Sequence, residues 1–263
     1  MVDQDMIVPP TASTWFFQPK VQPRPRLRLF CFPYAGGGAS TFLSWSNYLP
    51  ADVEVWPVQL PGRQNRLAEP AFTQIPALVH ALTPALQECL DIPFAFFGHC
   101  MGAHLAFEVA RQLRDQGAPQ PRHLFVAARR APQLPDPNPH CYQLSEPLFL
   151  KAVSNLNGLP GEFIANKELV RLMLPTLRAD FEATETYTYT DREPLDCAIS
   201  AFGGSEDDSV TSDELAAWHH QTTGPFRFHL FSGGHFFINS HQVPLLKLIS
   251  REIEQIIEHS QRR

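Results

Sequence analysis

The sequence has no run of about 18 apolar residues, so it offers no helix able to cross a membrane. It has no C-x-x-C pair: its five cysteines stand apart at 31, 89, 100, 141 and 197. An odd, scattered set argues against a disulfide framework or a structural zinc site and fits a reducing cytoplasm. Positive charge is in deficit, with 21 Lys and Arg against 27 Asp and Glu and a net charge of −6. That balance argues against a nucleic-acid partner. Neither G-x-x-x-x-G-K-[ST] nor G-x-G-x-x-G occurs, so the glycine-rich stretch at 36–38 does not read as a nucleotide cradle. The start, MVDQDMIVPP, lacks the basic residues and long apolar stretch of a secretory signal, and a cytoplasmic location is expected. No metal cluster and no cofactor motif stands out.

What is in excess is proline, 25 of 263 residues, against a usual share of about 5%. Prolines 9, 10, 19, 23 and 25 make residues 1–25 read as an arm, with Trp15-Phe16-Phe17 as its anchor to the body. From Leu27 onwards short apolar runs alternate with helical patterns. Strands are expected at 27–32, 53–58, 94–97, 124–128, 197–202 and 226–231. Helices are expected at 73–90, with a kink at Pro84, and at 101–116, 211–221 and 243–258. This rhythm predicts an α/β fold, a mostly parallel sheet with helices on both faces. Residues 131–190 break it. A proline-rich run (APQLPDPNPH) leads into helical patterns near 145–156 and 166–185, which read as an insertion on top of the sheet.

The chemistry concentrates in Gly98-His99-Cys100-Met101-Gly102, a G-x-C-x-G turn between a buried strand and a helix. It has the form of the nucleophile elbow, with cysteine where serine is usual. Such a turn strains the central residue, thrusts its side chain out of the sheet edge, and sets it at a helix N-terminus that favours an anion. The base is expected last in the chain, after the final strand: His235, in Ser232-Gly233-Gly234-His235. The orienting acid is expected after the preceding strand, at Asp207, with Asp208 and then Glu206 as alternatives. The order 100, 207, 235 is that of α/β-hydrolases. His99 is expected to point away from the site and support it. An oxyanion hole needs two backbone N–H groups, one from Met101 and one from the glycine-rich loop 32–38.

FPYAGGGAS (32–40), LPGRQNR (60–66), GHCMGAHLAFEVA (98–110), RRAP (129–132), AFGGSEDD (201–208) and SGGHFFI (232–238) together resemble the type II thioesterases. These are stand-alone α/β-hydrolases of polyketide and nonribosomal peptide synthesis. The resemblance spans roughly residues 27–260. It implies hydrolysis of acyl groups from the phosphopantetheine arm of an acyl- or peptidyl-carrier protein, for editing or release. It assigns Cys100, His235 and Asp207 as the triad and Ala35 and Met101 as oxyanion donors. It also divides the chain into an arm (1–25), a core (26–130 and 191–263) and a lid (131–190). Tyr34, Phe149, Met173 and Phe236 are expected to contact substrate.

Leu148, Phe149, Val153, Leu156, Leu169, Val170, Met173, Leu174, Leu177 and Phe181 would pack the lid's helices and line its chamber. Arg63, Arg66, Arg129, Arg130, Arg171 and Arg178 are candidates for a basic entrance facing an acidic carrier helix. The chain departs from the family at Cys100, where serine is usual. It reads as a native thiol nucleophile, as a serine replaced by design, or as the mark of a weakened homologue. A thiol acyl-enzyme stays activated, so acyl transfer or cyclisation, small-molecule ester hydrolysis and a non-catalytic carrier-binding role are the alternatives. A monomer is expected.

Overall fold

The computed structural model describes residues 12–17, 22–137, 140–155 and 165–261. Six strands, β1 (Leu27–Phe32), β2 (Val53–Pro57), β3 (Phe94–His99), β4 (His123–Ala127), β5 (Ala198–Gly204) and β6 (Phe226–Phe231), form one sheet in the order β2-β1-β3-β4-β5-β6. Every pairing is parallel. β3 and β4 are buried along their whole length, which is why they read as unbroken apolar runs.

Side chains alternate between two cores, as the period-2 geometry of a strand requires. Phe30, Phe32, Phe96, Leu124 and Val126 face α2 (Ile75–Gln87) and α3 (Met101–Asp115). Leu29, Cys31, Phe97, Phe125 and Ala127 face the 3-10 segment Ala39–Asn47 and a long C-terminal helix, Gln242–Gln261. The glycine-rich stretch 36–38 thus runs into a 3-10 helix, buried through Phe42 and Trp45, that the sequence reading did not foresee. Helix α2 continues through Pro84, and Leu82, Ala85 and Leu86 on its buried side hold it against the core.

The short α1 (Ala12–Trp15) belongs to the expected arm, most of which lies outside the described residues. Trp15 and Phe16 are buried and Phe17 is exposed. Phe16 bridges Val58 in antiparallel fashion, and the Arg66 guanidinium stacks over the Trp15 ring at 4.3 Å. The anchor therefore consists of two residues of the three.

Between β4 and β5 there is no strand among the described residues. Helices α4 (Glu146–Asn155) and α5 (Lys167–Glu185) occupy that stretch and share a small core of Phe149, Val153 and Leu177. Leu156 lies outside the described residues. α6 (Ser212–Ala216), whose start is fixed by a Thr211–Glu214 capping box, passes into a 3-10 turn, Ala217–Gln221. α7 (Phe237–Ser240) and α8 (Gln242–Gln261) follow β6.

The chain goes from β1 to β2 on one side and from the adjacent β3 to β4 on the other, so the connections after these two neighbouring strands run in opposite directions. Crevices for ligands form at such a point, at the carboxyl ends of the strands. Register puts the relevant loops there together. Phe32 pairs with Gly98, so the glycine-rich loop and the elbow leave the sheet at one level. Gly204 pairs with Phe231, so the loops carrying Asp207 and His235 do the same.

Candidate active site

The elbow is built by steric necessity. A Cβ on Gly98 would lie 2.2 Å from the Gly102 carbonyl oxygen, and one on Gly102 would lie 2.1 Å from the Phe32 carbonyl oxygen. Both distances are impossible for real atoms, so strand, turn and helix meet this closely only through glycine. Cys100 between them has φ 53° and ψ −115°, and its N–H donates to the Ala127 carbonyl at 2.8 Å. A non-glycine residue with this backbone stores strain, held by the surrounding sheet and helix.

His235 Nδ1 donates to Asp207 Oδ2 at 2.8 Å, which fixes the ring with its other nitrogen free. Asp207 Oδ1 in turn accepts the Ser209 N–H at 2.9 Å and the Ser209 hydroxyl at 2.6 Å. Ser209 also lies 3.0 Å from His235 Nδ1, a contact that no motif announced. Asp208 is exposed and Glu206 Oε1 accepts only the Gly233 N–H, so among the three acids Asp207 is the one that meets the histidine.

His235 Nε2 is buried and makes no hydrogen bond to nitrogen or oxygen among the described residues. Its neighbour is the Cys100 thiol. Burial pushes that thiol up, but the charge and hydrogen bonding of His235, the Arg129 charge and the Met101 N–H outweigh it and bring the thiol below its ordinary range. Burial lowers His235, and the Cys100 and Asp207 anions overcome this and raise it to about 10. For Asp207, burial acts upward, while its bonds from His235 and Ser209 prevail and hold it below the usual carboxylate range.

The other four cysteines all move the opposite way. Cys31 and Cys89 are pushed up by burial, Cys141 by burial and then Glu185, and Cys197 by burial to about 12. These shifts favour a thiolate–imidazolium pair, and Cys100 is the one cysteine of five whose thiol is lowered.

Arg129 is fixed beside this pair. Its Nε donates to His104 Nδ1 at 3.3 Å, and its carbonyl accepts the Trp218 indole N–H at 2.8 Å. His104 Nε2 lies 3.1 Å from the Arg130 carbonyl, and burial with the Arg129 charge keeps this ring neutral. His99 turns into the core behind the turn. Its ring lies 5.5 Å from that of His235 and 5.7 Å from that of Tyr34, and neither of its nitrogens meets a hydrogen-bonding partner among the described residues.

A cavity of about 830 Å³ opens over Cys100, His235 and Asp207. Ala35 lies on its wall, and the Ala35 N–H has no hydrogen-bond partner among the described residues. Leu144, Ala152 and Phe181 contribute apolar wall from the 131–190 stretch.

Several expected contacts fall elsewhere. Phe149 is wholly buried in the small α4–α5 core under the Arg178 guanidinium, and Met173 is half-buried on α5; neither lines the cavity. Tyr34 and Phe236 stack edge-on at 4.9 Å and pack around His99, behind the histidine rather than in the cavity. Arg63 and Arg66 are buried, paired with Asp180 and Glu69, and neither lines the cavity, whereas Arg130, buried and paired with Glu214, does line it. Arg178 donates to the Tyr142 and Leu144 carbonyls, tying α5 to the segment before α4. Arg129 lines the cavity, and Arg171 is exposed on α5.

A family model described as "Thioesterase domain" matches residues 27–253. The chain is 42% identical over 248 residues to linear gramicidin dehydrogenase LgrE of Brevibacillus parabrevis, covering 93% of this chain and 94% of LgrE. Among solved structures, RedJ, a thioesterase from the prodiginine biosynthetic pathway in Streptomyces coelicolor, superposes with a TM-score of 0.82 at 42% identity, covering 87% of this chain and 86% of RedJ. The type II thioesterase BorB from the borrelidin biosynthetic cluster superposes with a TM-score of 0.80 at 36% identity, covering 90% and 97%. With the family match spanning nearly the whole sheet and its helices, this chain belongs to the thioesterase family and has its α/β-hydrolase fold.

Proposed function

We propose that this protein is a type II thioesterase that hydrolyses acyl groups from the phosphopantetheine arm of a carrier protein in polyketide or nonribosomal peptide synthesis. Cys100 is its nucleophile, His235 its base and Asp207 its orienting acid. The observation that carries this reading is the Asp207–His235 bond at 2.8 Å, which aims the free ring nitrogen toward a lowered-pKa thiol on a cavity floor.

In the proposed cycle the Cys100 thiolate attacks the thioester carbonyl. The oxyanion forms between the N–H groups of Ala35 and Met101. The intermediate collapses as His235 gives its Nε2 proton to the departing pantetheine sulfur. The neutral imidazole then takes a proton from water, and the resulting hydroxide attacks the acyl-Cys100 carbonyl. Collapse expels the Cys100 thiolate and frees a carboxylic acid. Asp207 keeps the tautomer fixed throughout and faces the imidazolium.

Residues 26–130 and 191–263 form the catalytic body in this reading, and 131–190 the lid over the acyl chamber. The dehydrogenase in the name of LgrE does not suit this chain. The Asp180 carboxylate already accepts the Gly36 N–H at 2.7 Å in the loop after β1, where a dinucleotide's pyrophosphate would need an anion cradle.

Incubation with acyl-loaded carrier protein, followed by intact mass spectrometry, tests the assignment. Free acid and unloaded carrier are expected, with Cys100→Ala slowing release by a factor on the order of 10⁴ or more. Undiminished release by that variant overturns the nucleophile. A new amide or ester in place of the acid makes the enzyme a transferase.

A further inference from the structure

Outside the triad, a buried ion pair joins α5 to the loop after β2, and both of its members also reach the loop after β1. Asp180 and Arg63 form a bidentate ion pair, with both N···O distances 2.7 Å and side-chain exposures of 3% and 2%. The same Asp180 Oδ2 accepts the Gly36 N–H at 2.7 Å, and the same Arg63 Nη1 donates to the Gly37 carbonyl at 2.9 Å. Gly36 directly follows Ala35. Two peptide groups of this loop, 35–36 and 37–38, are therefore held, one by each member of the pair. Packing agrees: Leu177, one turn before Asp180, comes so close that a Cβ on Gly36 would lie 2.7 Å from its Cδ1. A second tether, the Thr176 hydroxyl to the Gly62 carbonyl, ties α5 to the same loop after β2, one residue before Arg63, without touching residues 35–37.

An isolated buried ion pair is weak evidence for stability, because desolvation opposes the Coulomb attraction. Here its geometry serves something else. An oxyanion donor must sit within a few tenths of an ångström of its place, and a loop with three glycines has little rigidity of its own beyond the turn bond from the Gly37 N–H to the Tyr34 carbonyl at 2.8 Å. We propose that Asp180, through its pair with Arg63, is a positioning residue that sets the Ala35 N–H for the oxyanion. This rests on the thioesterase reading above.

The test compares two double variants that leave no unpaired buried charge. Arg63→Met with Asp180→Ala removes both tethers. Arg63→Gln with Asp180→Asn keeps a neutral side-chain acceptor for the Gly36 N–H. Steady-state hydrolysis of an acyl-N-acetylcysteamine thioester gives kcat and KM. Iodoacetamide alkylation of Cys100, which develops no oxyanion, reports the integrity of the thiolate. The apolar pair is expected to lose about 10- to 100-fold in kcat with KM and alkylation rate little changed. The neutral polar pair should lose less than about fivefold. Thr176→Val, which cuts the other tether, should lower the melting temperature and leave kcat intact.

Full kcat in the apolar pair overturns the proposal while the thioesterase reading stands. An equal fall of kcat and alkylation in that pair also overturns it, because the pair would then act on the whole site. If the apolar pair fails to fold, Asp180→Ala in the Arg63→Gln background removes the Gly36 acceptor without leaving a buried charge and carries the same comparison of kcat against alkylation, with a kcat loss and unchanged alkylation expected. A wild-type protein that hydrolyses neither this thioester nor acyl-loaded carrier protein overturns the functional reading itself.

Discussion

At the scale of single residues, one thiol is set apart from four others by what surrounds it. Burial opposes ionisation at all five cysteines, and at Cys100 alone a histidine, an arginine and a helix N-terminal amide reverse the outcome. The sign gives a pH dependence. Alkylation needs the thiolate, so Cys100 should reach its plateau rate at lower pH than a free thiol with a pKa of about 8.5. The pair persists until His235 loses its proton near 10. Replacing His235 with Ala leaves burial to dominate and moves the curve upward. At pH 7 neutral iodoacetamide should then react more slowly, because less of Cys100 is thiolate. Identical profiles for wild type and His235→Ala would refute the ion pair. The residues of this pair were legible because elbow, acid and histidine follow strand ends in a fixed order. Ser209 and the Arg63–Asp180 pair were not. Nothing in a sequence marks which hydroxyl two residues past an aspartate will turn back to it, and charged residues read by default as surface.

At the scale of elements, the strands were legible wherever both faces are buried, since unbroken apolar runs leave little else to be. The 3-10 segment Ala39–Asn47 was hidden because glycine, serine and threonine at its start signal a loop, while its burial depends on Phe42 and Trp45 meeting Phe97 across space. One aromatic lid position, Phe149, was misplaced for a related reason. Phe149 and Phe181 stack edge-on at 5.4 Å, and periodicity does not say which of the two faces the cavity. The elbow is the element with least tolerance. Gly98→Ala is expected to destabilise by about 3 kcal/mol or more, since the added methyl meets backbone rather than a movable side chain. Chemical denaturation measures this, and a loss below about 1 kcal/mol would show that strand and helix separate more easily than the contact distances require.

At the scale of the whole molecule, one face of the sheet is covered largely by the C-terminal helix, whose buried side carries Leu245, Leu246, Ile249 and Ile253. That apolar stripe was readable in the sequence; the carboxylate within it was not. Glu252 is only 5% exposed. It accepts the Ser200 hydroxyl from β5 at 2.5 Å, lies 3.1 Å from His123 Nε2 at the start of β4, and is 3.5 Å from Arg227 on β6. One side chain therefore ties the C-terminal helix to three adjacent strands. Burial pushes its pKa up, but the bonds from His123 and Ser200 and the nearby charges bring it below the usual carboxylate range. A folded-state pKa below the unfolded value means that Glu252 contributes stability above the unfolded value, about 4.3, and loses it as pH falls through the folded one. Glu252→Gln keeps an acceptor and removes the charge. Urea unfolding should show it about 1–3 kcal/mol less stable than wild type near pH 7, with the gap closing as pH drops through 4 toward 3. A gap that stays constant across that range would mean that shape and hydrogen bonding alone hold the helix to the sheet, and that the charge contributes nothing.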